Sequence, residues 1–118
     1  MIEVENIREW IGRDVVDSDG DKVGTLEDVY FDAESEAPAF LIVKTGRIKH
    51  HLSFVPVEGA QAGPDQVQVG FPKTEIQKTP TAEVGGELSA EDESALYHGY
   101  GINYVPSGTE SGRRLVRR

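Results

Sequence analysis

From position 13 to position 78 the chain carries short apolar runs, many alternating with polar residues and repeatedly interrupted by turn formers. This pattern predicts strands near 13–17, 22–32, 38–45, 51–57, 66–70 and 74–78. The breaks between them contain Asp19-Gly20, Ala37-Pro38, Thr45-Gly46, Glu58-Gly59, Gly63-Pro64-Asp65 and Phe71-Pro72, residues that supply turn geometry or deny a ladder donor. No interval is long enough for a crossover helix, so the pairing is expected to be antiparallel. So small a sheet hides its edges by curling. The expected fold class is therefore all-β in the main: a small six-stranded antiparallel β-barrel.

Phe40, Leu41, Ile42 and Val43 are contiguous, which predicts a strand covered on both faces rather than one. One face would fill the barrel and the other needs a lid. Residues 88–104, LSAEDESALYHGYGINY, supply it: Ser89 as helix cap, Glu91, Asp92 and Glu93 at the positive end of the dipole, Leu96, Tyr97 and Tyr100 as the apolar face, and Gly99 or Gly101 as the stop. At the other end, VENIREWIG is expected to be helical or turn-like, with Ile7, Trp10 and Ile11 sharing a face. Gly24 inside the second strand suggests a bulge.

The segments IREWIGRDVVDSDGDKVGTLEDVYFD, APAFLIVKTG, FVPVEGA and ELSAEDESALYHGYGINY, in this order and spacing, resemble the PRC-barrel family over residues 7 to about 104. The last segment is similar to the closing piece of small bacterial, especially actinobacterial, relatives. The resemblance implies a six-stranded barrel used as a non-enzymatic protein-interaction or adaptor module. Two settings of the family are the cytoplasmic part of the photosynthetic reaction-centre H subunit and the C-terminal domain of a ribosome-maturation factor. Neither a membrane helix nor an N-terminal domain is expected before the barrel, so neither particular job is carried over.

With 118 residues, one domain over 1–106 and a flexible basic tail over 107–118 are expected. There is no membrane-length apolar run and no leader pattern, which makes a cytoplasmic location the default. Without cysteine, thiolate sites and disulfides are excluded. The net charge of −9 is unevenly distributed. The body is more acidic than the whole, and the tail carries Arg113, Arg114, Arg117 and Arg118 against one acid, Glu110. Such a body repels phosphate backbones, which makes nucleic acid an unlikely partner except through the tail.

Asp17, Asp19 and Asp21 imitate the first ligands of a twelve-residue calcium loop, but its glycine position holds Lys22 and its bidentate glutamate position holds Asp28. A hairpin turn with solvated aspartates is the expectation. The most unusual stretch is KTGRIKHH, where Lys44, Arg47, Lys49, His50 and His51 form a basic cluster on an acidic body. Charge clusters at loop tips are commonly solvated. The functional reading is a docking patch for an acidic protein surface.

Adjacent histidines on a strand face opposite ways, so His50 and His51 do not readily share a metal, and His98 lies far along the chain. Neither a nucleophile elbow nor a phosphate loop is present. No catalytic residue, metal or cofactor is expected. Trp10, Phe54, Phe71, Tyr97, Tyr100 and Tyr104 are expected in the core or under the lid rather than in a ligand cage. The partner is expected to be a protein, with self-association about a twofold axis as one form. The alternatives are an RNA-processing or ribosome-associated accessory using the tail, and a small-ligand or metal sensor using the barrel mouth.

Overall fold

The computed structural model describes residues 4–117, with side chains from residue 7 onward. A 3₁₀ helix, Val4–Trp10, precedes strands β1 (Asp14–Val16), β2 (Lys22–Asp32), β3 (Pro38–Thr45), β4 (His51–Pro56), β5 (Gln61–Ala62) and β6 (Gln66–Gln68). Then come helix α1 (Lys73–Ile76), strand β7 (Thr81–Glu83), helix α2 (Ala90–Gly99) and strand β8 (Leu115–Arg117). The eight strands form one sheet in the order β5-β6-β1-β2-β3-β4-β7, with β8 paired to β2.

β2 organises this sheet because it is much longer than its neighbours. Its 11 residues meet β3 along one edge, while β1 and β8 divide the other: β1 faces Lys22–Thr25 and β8 faces Tyr30–Asp32. Register shifts interrupt the β2–β3 ladder between Leu26 and Asp28, and the β1–β2 ladder between Val15 and Val16. The second lies beside Gly24, where the bulge was expected.

The six expected strands are eight, and the structure corrects four further expectations of the sheet, its connections and the tail. Residues 74–78 are not a strand: α1 occupies Lys73–Ile76 and places Ile76 in the core. Pro72 stands extended at its N-cap, and Asp17 accepts the Lys73 amide at 2.8 Å. Thr74 and Lys78 flank Ile76 at a spacing of two, so one inward residue satisfied the strand pattern and a helical turn equally. Second, the pairing is not wholly antiparallel, since β6 lies parallel to β1, with Val15 opposite Val67. Third, the end strands β5 and β7 do not pair, and the sheet remains open between them. Brevity manages these edges instead, at 2 and 3 residues. Fourth, the tail is not a free appendage. Leu115 is buried and β8 continues the sheet.

β3 is covered on both sides, with Phe40, Leu41, Ile42 and Val43 all buried. α2 provides the lid, and its Tyr97 meets Phe40 edge-on with ring centres 5.2 Å apart. Ser89 caps this helix by accepting the Asp92 amide at 3.1 Å. Its C-terminal end closes through the Ile102 amide on the Tyr97 carbonyl at 2.9 Å, across Gly101 at φ 72°. In the leading 3₁₀ helix Ile7 and Trp10 are buried as expected, but Ile11, in the turn that follows, is 44% exposed.

Candidate functional site

The Asp17 carboxylate shows first what the acidic hairpin does. Oδ1 accepts the amides of Asp19 and Asp21 at 2.9 and 2.8 Å, and Oδ2 accepts that of Lys73. Burial pushes the carboxyl up, but the amides of Lys73, Asp21 and Asp19 together outweigh it and hold the group below its usual range. Asp17 is therefore not a solvated turn residue. It ties the β1–β2 turn to α1, and α1 forms one wall of a cleft.

That cleft has a volume of about 850 Å³ and is bounded by the start of β2, the end of β3, the loop to β4, and α1. Lys44 reaches it from β3, opposite Thr25 on β2 and Leu52 on β4. Gly24 permits this approach: a Cβ there would stand 2.1 Å from the Lys44 carbonyl oxygen. Gly46 starts the loop at φ 98°, and a Cβ on it would fall 2.3 Å from the Lys49 carbonyl. Any other residue at 46 would be strained and would force the loop open.

Cationic groups ring the cleft. Lys22, Lys44, Arg47 and Lys73 line it, as do His50 and His51, and among the described residues no aspartate or glutamate does. Among the described residues only Lys22 of these has an ion pair, with Asp14 at 3.4 Å, and both partners are more than half exposed. His51 Nε2 and Thr45 Oγ1 are hydrogen-bonded at 2.8 Å. Ser53 and Thr81 add hydroxyls, and Val23 and Ile76 add buried apolar surface.

The structure thus gathers four of the five basic residues singled out in the loop sequence, Lys44, Arg47, His50 and His51, around one depression. Lys49 does not line it. Between Arg47 and Lys49, Ile48 is 98% exposed. Lys22 and Lys73 were missed by sequence reading. They come from separate elements, and no local pattern connects them to the loop or to each other.

The tail arginines lie elsewhere and are engaged. Arg114 donates from Nε to Asp32 Oδ2 at 2.7 Å, pairs with Glu34 at 3.0 Å and donates to the Val105 carbonyl. Arg117 donates to the Gly86 carbonyl at 3.0 Å, lies 3.5 Å from Asp28 and stacks over Tyr30. Arg113 donates to the Leu88 carbonyl. Arg118 falls outside the described residues.

The aromatic residues do not form a ligand cage. Trp10, Phe54, Tyr97 and Tyr100 are buried, and Phe71 and Tyr104 pack partly buried against the same core. Burial pushes the Tyr100 phenol up to about 12, although its contact with Thr79 works the other way. Burial and then the hydrogen bond to Glu93 raise Tyr104 to about 12.

Compared with known protein families, residues 2–76 match the PRC-barrel domain. The match includes every lining residue of the cleft named above except Thr81, and it ends before β7, α2 and β8. A search of curated proteins found no match.

Proposed function

Since the chain belongs to the PRC-barrel domain family, whose domains are generally non-catalytic modules, we propose that it is an adaptor that docks an acidic face of a partner protein through the loop from Gly46 to His50. The observation that carries this reading is the composition of the loop tip. Arg47, Lys49 and His50 are exposed around an isoleucine that is 98% exposed, on a protein of net charge −9. Among the described residues Arg47 and Lys49 have no ion pair.

Charge on the loop would steer encounter and fix orientation. Ile48 would then be the desolvated anchor at the centre of a polar rim. Gly46 and the paired strands β3 and β4 hold the loop's base, which lowers the ordering cost of docking. No helix among the described residues is long and apolar enough to cross a membrane.

The test is affinity capture from the native cell with the intact chain and with a variant carrying Arg47→Ser, Ile48→Ser, Lys49→Ser and His50→Ser. A partner that is acidic at its contact face, is released by salt and is lost with the variant supports the reading. Equal capture by both proteins, with circular dichroism showing both folded, refutes it. The engagement of Arg113, Arg114 and Arg117 with the body gives the RNA-contact alternative no comparable support.

A further inference from the structure

We infer that the basic cleft behind the docking loop is a binding site for a small phosphorylated polyol, a compact ligand with two or more phosphate groups on a hydroxyl-bearing body. This goes beyond partner docking and rests on a set of residues that overlaps the docking loop only at Gly46, Arg47 and His50. Lys49 and Ile48 belong to the loop tip and do not line the cleft, whereas Lys22 and Lys73 line the cleft and lie outside the loop.

Lys22, Lys44, Arg47 and Lys73 place four formal positive charges around a single depression without a lining acid, on a chain whose acids outnumber its bases 21 to 12. Like charges about 8 Å apart in water repel by about 0.5 kcal/mol, so each such pair is a small cost to the empty protein. A dianion converts that repulsion into attraction, and charge-assisted hydrogen bonds are the stronger kind. Solvated loop-tip charge does not account for the arrangement, because the four cations come from β2, β3, the loop and α1.

A volume of about 850 Å³ is in the range of sites that enclose small molecules. Its lining includes Val23 and Ser53, at 8% and 4% exposure. A flat protein face could not reach these residues, but a compact ligand could.

The remaining lining selects the body of the ligand. Thr25, Thr45, Ser53 and Thr81 supply hydroxyls and Gln77 a side-chain amide, and among the described residues the only rings in the lining are the imidazoles of His50 and His51. A nucleobase would find only the exposed Arg47, His50 and His51 at the loop to stack on and no large apolar ring, whereas sugar-type hydroxyls would find donors and acceptors. Lys44 on β3 and Lys73 on α1 come from separate elements, an arrangement that suits two phosphates better than one.

Isothermal titration of the full chain with fructose 1,6-bisphosphate, inorganic pyrophosphate, adenosine diphosphate and fructose tests this inference. Saturable binding of the sugar bisphosphate at one per chain is expected, weakened by salt, with no binding of fructose. Lys22→Ser combined with Lys73→Ser should weaken it about tenfold or more, while Lys49→Ser with Ile48→Ser leaves it unchanged. Lys22 and Lys73 are exposed, so the first variant should melt close to the parent. The absence of saturable binding of the sugar bisphosphate, or binding indifferent to Lys22 and Lys73, overturns the site. If adenosine diphosphate or pyrophosphate binds as tightly as the sugar bisphosphate, the polyol body is overturned. Either result leaves the docking reading of the loop intact, since partner capture also depends on Ile48 and Lys49, which do not line the cleft.

Discussion

The carboxylate of Glu93 on α2 accepts the backbone amide of Leu115, the first residue of β8, at 3.0 Å through Oε2. Its other oxygen accepts the Arg114 amide at 2.7 Å and the Tyr104 hydroxyl. Glu93 is completely buried, so this acid does not serve as surface charge near a helix start. It holds the lid helix and the last strand together, using donors that would otherwise be unsatisfied.

Replacing Glu93 by alanine should destabilise the fold by about 3 kcal/mol, the scale expected when bonds to a buried charged acceptor are lost and their donors left unpaired. The midpoint of urea unfolding should fall. Trypsin should also cut the native-state variant near Arg113 and Arg114 much sooner than the parent. Equal midpoints and equal cleavage rates would show that Glu93 does not hold the strand.

Removal of residues 107–118 should likewise destabilise the chain, which would not happen if that segment were a mobile appendage. The truncation strips β8 from Tyr30–Asp32, removes Leu115 from the core and leaves Asp32 without its Arg114 partner. Differential scanning calorimetry should show a clear drop in Tm and exposure of apolar surface to a hydrophobic dye.

Acid should unfold the protein through Asp17 and Asp32. Burial pushes each carboxyl up, but amide hydrogen bonds outweigh it and hold both below 3.8, and at Asp32 the Arg114 guanidinium adds to this lowering. A group with a folded pKa below its unfolded value stabilises the fold above the unfolded value, and that contribution is lost as pH falls through the folded one. Tm should therefore begin to fall near pH 3.8 and continue downward. In Asp17→Asn this part of the slope should be shallower, read from thermal melts across acidic pH. At the alkaline end the sign reverses: Tyr100 and Tyr104, raised to about 12, stay protonated in the fold when the unfolded chain has released its protons. Stability should fall as pH rises from about 10 towards 12.

Gly24→Ala should cost about 1–3 kcal/mol or more, because the new Cβ meets the Lys44 carbonyl at 2.1 Å and backbone cannot rotate away as a side chain can. Chemical shifts of the β2–β3 pair should move by NMR. Gly46→Ala, strained at φ 98°, should alter the loop and weaken partner capture even where the core remains native.

Much of the sheet was legible because period-two patterning and turn residues are local signals. β2 and β3 were delimited at their observed ends, and α2 was readable from Ser89 and the spacing of Leu96, Tyr97 and Tyr100. α1 was misread because a single buried residue, Ile76, does not distinguish a helical turn from a strand. The candidate site was half legible. The Lys44–His51 cluster stands out as charge in one short stretch, but Lys22 and Lys73 join it only through the Asp17 tie between the β1–β2 turn and α1.

The sequence by itself determined which short segments are extended, which glycines break them, and that both faces of Phe40–Val43 must be covered. These follow from backbone sterics and side-chain polarity, which act between near neighbours. Tertiary structure alone decided that the open sheet borrows its eighth strand from a basic tail, that Glu93 is a buried clasp, and that six cationic or imidazole side chains encircle one cleft. Those outcomes depend on which groups far apart in the chain meet once water is excluded, because only there does an unpaired carboxylate or amide become costly enough to choose its partner.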